Sequence, residues 1–217
     1  MSQINVEEDG PYQVSGDAPL SRGRIVETEF GEPVAWDIGP EISHGQSYRL
    51  CRCGRSATKP FCDDSHLEGF DGTETASSEP TDARRRRFEG DGVVLTDDIS
   101  LCSHAGFCRD RFTGVWEMTS EAADPAIRER LEHMVSLCPS GRLAYEDPPS
   151  SEPAEPAFEP SIVVEENGPY WVRGGVPVVA ADGSTWEVRN RVTLCRCGHS
   201  QNKPFCDGSH KDVGFIG

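Results

Sequence analysis

The sequence predicts an α+β chain in which two small β-rich domains flank a third segment carrying the one well-marked helix. Three observations predict it. The stretch VEEDGPYQV at residues 6–14 returns as VEENGPYWV at 164–172, and each copy runs on to a CRCG segment and then to KPFC. The nine cysteines sort into three groups of three: Cys51, Cys53 and Cys62; Cys102, Cys108 and Cys138; Cys195, Cys197 and Cys206. Between the copies, Ile127, Leu131, Met134, Val135 and Cys138 fall at helical spacing behind Asp124, an N-cap, and Pro125 at the first helical position.

The copies lie 158 residues apart at Val6 and Val164 but 144 apart at Cys51 and Cys195, so the first holds 14 extra residues, somewhere within 20–47. Two stretches rich in Pro, Ser and Glu read as linkers. The expected organisation is a first domain over 1–72, a linker over 73–87, a middle domain over 88–146, a Pro/Glu linker over 147–160, and a second copy over 161–217. In the second copy WEVRNRVTL (186–194) alternates. Trp186, Val188, Val192 and Leu194 share one face and Glu187, Arg189, Arg191 and Thr193 the other, which predicts a half-buried strand delivering Cys195. GVVLTDDISL (92–101) reads as a strand leading into the loop CSHAGFC. Asp63 and Asp207 read as N-caps of short helices, on which Cys62 and His66, or Cys206 and His210, share a face at i and i+4.

Composition narrows the function. Hydrophobic residues make up 35% of the chain, with 22 glycines and 16 prolines, so the cores are small and a metal or disulfide staple is expected. A net charge of −16 argues against nucleic acid and anionic membranes as partners. The run Arg84 to Arg87 lies between acidic stretches and reads as solvated linker. No apolar run approaches the ~20 residues of a membrane helix, and the acidic N-terminus resembles no secretory leader. A cytoplasmic location follows as the expectation, and in that compartment nine cysteines are metal ligands in preference to disulfides.

Each outer set has the form C-x-C-x8-C-x3-H: Cys51, Cys53, Cys62 and His66, then Cys195, Cys197, Cys206 and His210. A Cys3His zinc site is the plain structural reading. The C-x-C spacing is short for zinc, however, and C-x-C plus C-x3-H divides into two pairs, suiting the two irons of a [2Fe–2S] rhomb. The full pattern C-x-C-x2-[ST]-x3-P-x-C-D-G-[SAT]-H resembles the signature of the CDGSH, or mitoNEET-like, iron–sulfur domains. Residues 195–210 match it at every fixed position, and residues 51–66 depart from it only at Asp64, which stands where the second copy has Gly208. The resemblance implies two [2Fe–2S] clusters with Cys3His ligation. It also implies that the two motifs pack against each other around a small β-rich core, within one chain or between two in a homodimer. A single histidine in place of a thiolate raises the potential and makes the cluster sensitive to acid, because iron binds only the deprotonated nitrogen. Glycine at the departing position allows a positive φ or close packing. An added carboxylate there is expected to leave binding intact and to make the first site the lower in potential or the more labile.

In the middle set Cys102 and Cys108 are six apart and Cys138 precedes Pro139. Laid on the ferredoxin run C-x2-C-x2-C with its distant Cys-Pro, the second position is Ala105. Three cysteines support [3Fe–4S], or [4Fe–4S] with a non-cysteine ligand; His104 is the candidate for it, its alternative being an ordinary loop histidine. CSHAGFC…CPSGRL resembles the divergent single-cluster 4Fe–4S domain over residues 88–146, which implies a ferredoxin-like α+β middle domain. The expected function is one-electron carriage, without enzymatic activity of its own, with an unidentified redox or cluster-acceptor protein as partner. A cluster donor or redox or iron sensor is the alternative, and a zinc-stapled interaction module the remote one. The other residues read plainly. His199 is an exposed loop histidine, Trp116, Trp171 and Trp186 are core aromatics, and Ser56 and Ser200 bond the backbone or cluster sulfur.

Overall fold

The computed structural model describes residues 2–217. The first copy supplies β1 (Gln3–Val6), β2 (Tyr12–Ser15), β3 (Leu20–Glu27), β4 (Pro33–Glu41) and β5 (Ser47–Leu50). The middle of the chain supplies α1 (Thr81–Arg84), β6 (Arg86–Glu89), β7 (Val94–Asp97), α2 (Val115–Thr119), α3 (Pro125–Ser136), β8 (Leu143–Glu146) and β9 (Pro153–Ala154). The second copy supplies β10 (Ser161–Glu165), β11 (Tyr170–Arg173), β12 (Val178–Val179), β13 (Arg191–Leu194) and α4 (Ser209–Asp212). Mixed α and β with strands dominant is the class that the sequence predicts.

The repeated segments form equivalent antiparallel hairpins, β1–β2 and β10–β11. They do not close two separate sheets. Strand β1 runs parallel to β12, with Ile4 opposite Val178, and β10 runs parallel to β3, with Ile162 opposite Leu20. Each pairing is the other displaced by the repeat. The copies therefore exchange strands, giving sheets ordered β12–β1–β2–β5 and β13–β11–β10–β3–β4. One core results, in which Ile4, Tyr12, Leu20 and Leu50 pack with Ile162, Tyr170, Val178 and Leu194. Alternation in β1 turns Ile4 and Val6 inward. The run SIVVE of β10 is buried on both faces, as suits a strand with neighbours on either side and layers above and below.

The middle segment builds its own sheet, β6–β7–β8–β9, against α2 and α3, with Val93, Leu95, Val115, Leu131, Val135 and Leu143 as its core. The α3 N-terminus is as expected: Pro125 opens the helix and the Asp124 carboxylate accepts from the Ala126 N–H at 2.8 Å. The strand expected over 92–101 is Val94–Asp97, followed by a short 3₁₀ turn at Ile99–Leu101.

Three expectations change. The alternating stretch 186–194 is a strand only from Arg191. Val188 is exposed, while Arg191 and Thr193, assigned to the polar face, are buried. The reason is that the middle domain lies over that face: Arg191 donates to the carbonyls of Val135, Cys138 and Leu143 and pairs with Glu155. The arginine run is structured, since Arg84 meets Asp98 at 2.8 Å and Arg87 meets Glu146 at 2.7 Å, both carboxylates being buried. The segments read as linkers also pack: Thr75 and Ala76 N–H groups donate to the Lys203 carbonyl, and β9 adds to β8.

The 14 extra residues have a visible use. Where β12 has two residues, β3 has eight and turns back into β4. From β4, Trp36 stacks at 4.7 Å on Trp171 and 5.4 Å on Phe107, and its indole N–H donates to the Leu137 carbonyl. At the hairpin's tip Glu32 pairs with Arg111. This hairpin clamps the middle domain onto the paired copies.

Candidate metal centres

Strands β5 and β13 end just before Cys51 and Cys195, and each continues into a turn that returns antiparallel, Leu50 to Phe61 and Leu194 to Phe205. Cys51 N–H donates to the Pro60 carbonyl and Cys195 N–H to that of Pro204, closing each loop on itself. Ser56 and Ser200 tie the loops further by donating to the carbonyls of Phe61 and Phe205. The loops are also tied to one another. Tyr12, fully buried, donates to the carbonyls of Cys195 and Pro204 in the other copy, and Tyr170 reciprocates at Cys51 and Pro60. The glycine of each CRCG segment touches the backbone of the other segment across the pseudo-two-fold axis. A Cβ on Gly54 would lie 2.4 Å from the Cys197 carbonyl oxygen, and one on Gly198 would lie 2.6 Å from that of Cys53. Only glycine fits there, and both φ values are positive.

Within each loop the ligand atoms form two pairs. Cys51 and Cys53 sulfurs are 3.8 Å apart and Cys195 and Cys197 sulfurs 3.9 Å. Two thiolates held about 2.3 Å from one tetrahedral metal stand about 3.8 Å apart. The Sγ–Nδ1 distance is 3.4 Å both for Cys62–His66 and for Cys206–His210, near the roughly 3.6 Å expected for a thiolate and an imidazole on one metal. The two pairs do not converge on a single point. Among the described residues, the only three such ligand atoms lying within 4.8 Å of one another are those of Cys62, Asp64 and His66. One tetrahedral ion would need all four ligands closer than that, so each loop suits two metals.

The helical turns that carry Cys-x3-His begin one residue later than expected. The αL residues Asp64 (φ 68°) and Gly208 (φ 90°) occupy the cap positions. Asp63 and Asp207 precede them and accept from the N–H and hydroxyl of Ser65 and Ser209. Asp64 and Gly208 N–H groups donate to the sulfurs of Cys62 and Cys206, each at 3.4 Å. His199 donates its backbone N–H to Cys197 sulfur, and its carbonyl accepts from the Gln201 side chain.

Burial pushes the thiols of Cys51, Cys62, Cys108 and Cys206 above their ordinary range. Thiolates at these positions need a cation beside them, which a metal supplies. The donor set, its spacing and its buried thiols all fit an iron–sulfur group.

In the middle domain Cys102, Cys108 and Cys138 face a common cavity with His104, Ala105 and Pro139. Arg142 reaches it from β8's entry, donating to Cys102 sulfur at 3.1 Å while its other nitrogens grip Asp97 at 2.6 and 2.9 Å. Arg142 lies within the CPSGRL motif, but its reach to Cys102, forty residues earlier, leaves no local mark in the sequence. The ring of His104 does line the cavity rim, and it also packs on Gly208 of the second copy. Arg49 was likewise unforeseen: it holds Asp64 in a two-point ion pair at 2.7 and 3.3 Å. The carboxylate expected to depress the first site's potential faces the Arg49 guanidinium, whose charge opposes its own. The exposure of the site remains.

A strand-exchanged pair of loops with Cys3His sets, joined to a third cysteine set on a small α+β domain, defines an iron–sulfur-binding protein. Family comparison agrees with it. The iron-binding zinc finger CDGSH type matches residues 9–67 and 167–211, and the divergent 4Fe-4S mono-cluster family matches residues 88–148. The chain is a tandem CDGSH protein with a divergent 4Fe–4S mono-cluster domain between its copies. No curated protein and no solved structure matches it.

Proposed function

We propose that the protein is a one-electron carrier holding two [2Fe–2S] clusters and one [3Fe–4S] or [4Fe–4S] cluster. The observation carrying this reading is the division of each Cys3His set into two pairs, each spaced for one metal, in one body with a third cysteine set. Cys51, Cys53, Cys62 and His66 hold the first cluster, and Cys195, Cys197, Cys206 and His210 the second. Cys102, Cys108 and Cys138 hold the middle one. When bound, these groups supply reversible one-electron chemistry. The chain keeps the loops rigid through Tyr12 and Tyr170, excludes water from Cys195, Cys197, Cys206 and His210 by burial, and sets charge at the middle site through Arg142. Iron and sulfide quantitation with EPR on anaerobically purified protein tests it. Roughly 7–8 irons per chain are expected; stoichiometric zinc without iron would end the reading.

A second reading, a cluster donor or sensor, draws on the first site, where Cys62 and His66 are only half-buried. Mixing with an apo-ferredoxin separates the two: a carrier keeps its colour and a donor loses it. No helix among the described residues is long and apolar enough to cross a membrane.

The Arg142 guanidinium favours the more negative, reduced state of the middle site. Arg142→Met is expected to lower its midpoint by on the order of 60 mV, for one electron the equivalent of ~1.4 kcal/mol. Potentiometric EPR reads the shift, and an unchanged midpoint would remove Arg142 from the account.

A further inference from the structure

The two CDGSH sites are equivalent in ligands but not in surroundings. At the second, Cys206 and His210 are 3% and 4% exposed; at the first, Cys62 and His66 are both half-buried. What covers the second is the middle domain's own cysteine loop. A Cβ on Gly208 would lie 2.8 Å from Cγ and 2.9 Å from Cδ2 of His104, so the imidazole rests directly on the glycine whose N–H bonds Cys206 sulfur. Lys211, beside His210, donates to the His104 carbonyl at 2.6 Å, and Asn202 donates to the Ser100 carbonyl at 2.8 Å. His104 stands two residues from Cys102 and lines the middle cavity, so one side chain touches both sites. In the first copy the matching position is Asp64. Its side chain is about half exposed and points to Arg49, and the 62–66 turn bonds to Arg49, Ala57 and itself, all within that copy.

We propose that the three sites are wired in a fixed order, from the middle site through the His104–Gly208 contact to the second CDGSH site, then across the reciprocal Gly54–Cys197 and Gly198–Cys53 backbone contacts to the first, which meets the external partner. This rests on the carrier reading above. Each transfer moves one electron and no atom or proton: the middle site is oxidised by one electron as the second is reduced by one, and likewise from second to first. A low-potential one-electron donor protein loads the middle site, and a one-electron acceptor of higher potential unloads the first. Tunnelling weakens steeply with separation, so a side chain in van der Waals contact with both sites selects the neighbour that receives the electron. The glycine of the second motif leaves the space in which His104 docks. In the first motif Asp64 keeps the left-handed backbone, and its side chain turns to Arg49.

The test is EPR relaxation on dithionite-reduced full-length protein, with each CDGSH site removed in turn by Cys62→Ala or Cys206→Ala. The expected result is that spin–spin interaction with the middle cluster survives Cys62→Ala and vanishes with Cys206→Ala. His104→Ala and Gly208→Ala, with iron content intact, are expected to weaken it and to raise hydrogen exchange across residues 102–108. A soluble chromium chelate added to wild type is expected to speed relaxation of the first site's signal more than the second's. Interaction lost in Cys62→Ala, or a chelate effect strongest on the second site, would overturn the order. Cys62→Ala alone decides the point should the other variants fail to load iron. Wild-type protein without iron or any cluster signal would instead overturn the carrier reading itself.

Discussion

Replacing Arg191 by alanine is expected to destabilise the protein by about 3–5 kcal/mol, because the interior carbonyls it serves lose a charged donor. The side chain is fully buried. It satisfies three carbonyls, those of Val135, Cys138 and Leu143, and pairs with Glu155 at 2.7 and 2.8 Å. Each carbonyl left without its donor costs about 1–3 kcal/mol if no water reaches it. Two of the three, those of Val135 and Cys138, lie at the C-terminal end of α3, and of these the Val135 carbonyl also accepts from the Cys138 N–H. Cys138, proposed above to hold the middle cluster, hangs from that same end, so iron in the middle domain should be lost before iron in the CDGSH pair. Denaturant unfolding followed at both cluster bands reads the two effects. Arg191→Lys is expected to recover only part of the loss, because an ammonium cannot span the set with a planar fork. A destabilisation below about 1 kcal/mol would show that the network is solvated.

Acid should strip the two CDGSH sites unequally. Iron binds the deprotonated imidazole, so protonation and ligation compete. Burial pushes His210 down to about 4, with Lys211 and His104 adding to the effect and Asp207 and Asp212 opposing it. The folded second site therefore holds its imidazole neutral until pH nears 4, against about 6.5 for an unperturbed histidine. Without metal the same shift means that folding stability contributed by this group falls as pH drops from about 6.5 toward 4, since the unfolded chain takes up the proton first. The ligand turn of the first site has no such cover, and water reaches His66. Two phases of visible-absorbance loss are expected at pH 5–6, the faster from the first site. His66→Cys should remove the faster phase and slow that site's loss by roughly tenfold, the equivalent of one pH unit of proton competition. His210→Cys should act only on the slower phase. An unchanged loss rate in the double variant would contradict histidine ligation as the source of acid sensitivity.

Much of this was legible in the sequence because it is written in local pattern. The repeat, the three cysteine sets, the Asp124–Pro125 helix start and the pairing of Cys62 with His66 each depend on residues a few positions apart. What escaped depends on partners far along the chain. Residues 3–6 read as a strand whichever copy completes their sheet, so the exchange of β1 onto β12 leaves no mark in either segment. Arg191 alternates with Val192 as a solvent-facing residue would, and only the middle domain's carbonyls make it an interior one. Gly208 was expected to serve either a positive φ or close packing; it serves both, with φ 90° and His104 against it. Asp64 keeps the positive φ and gives up the packing, and Arg49, fifteen residues earlier, takes its charge. The Pro- and Ser-rich stretches lack periodicity, yet the first is held at Thr75 and Ala76 by the Lys203 carbonyl and the second adds β9 to β8.

Mössbauer spectroscopy of 57Fe-loaded protein with the middle set removed (Cys102→Ala, Cys108→Ala, Cys138→Ala) tests the central claim most directly. Four irons per chain are expected, half in an all-sulfur environment from Cys51–Cys53 and Cys195–Cys197 and half with mixed sulfur and nitrogen ligation from Cys62–His66 and Cys206–His210. A single all-sulfur environment, or protein that retains two zinc ions and no iron, would contradict it.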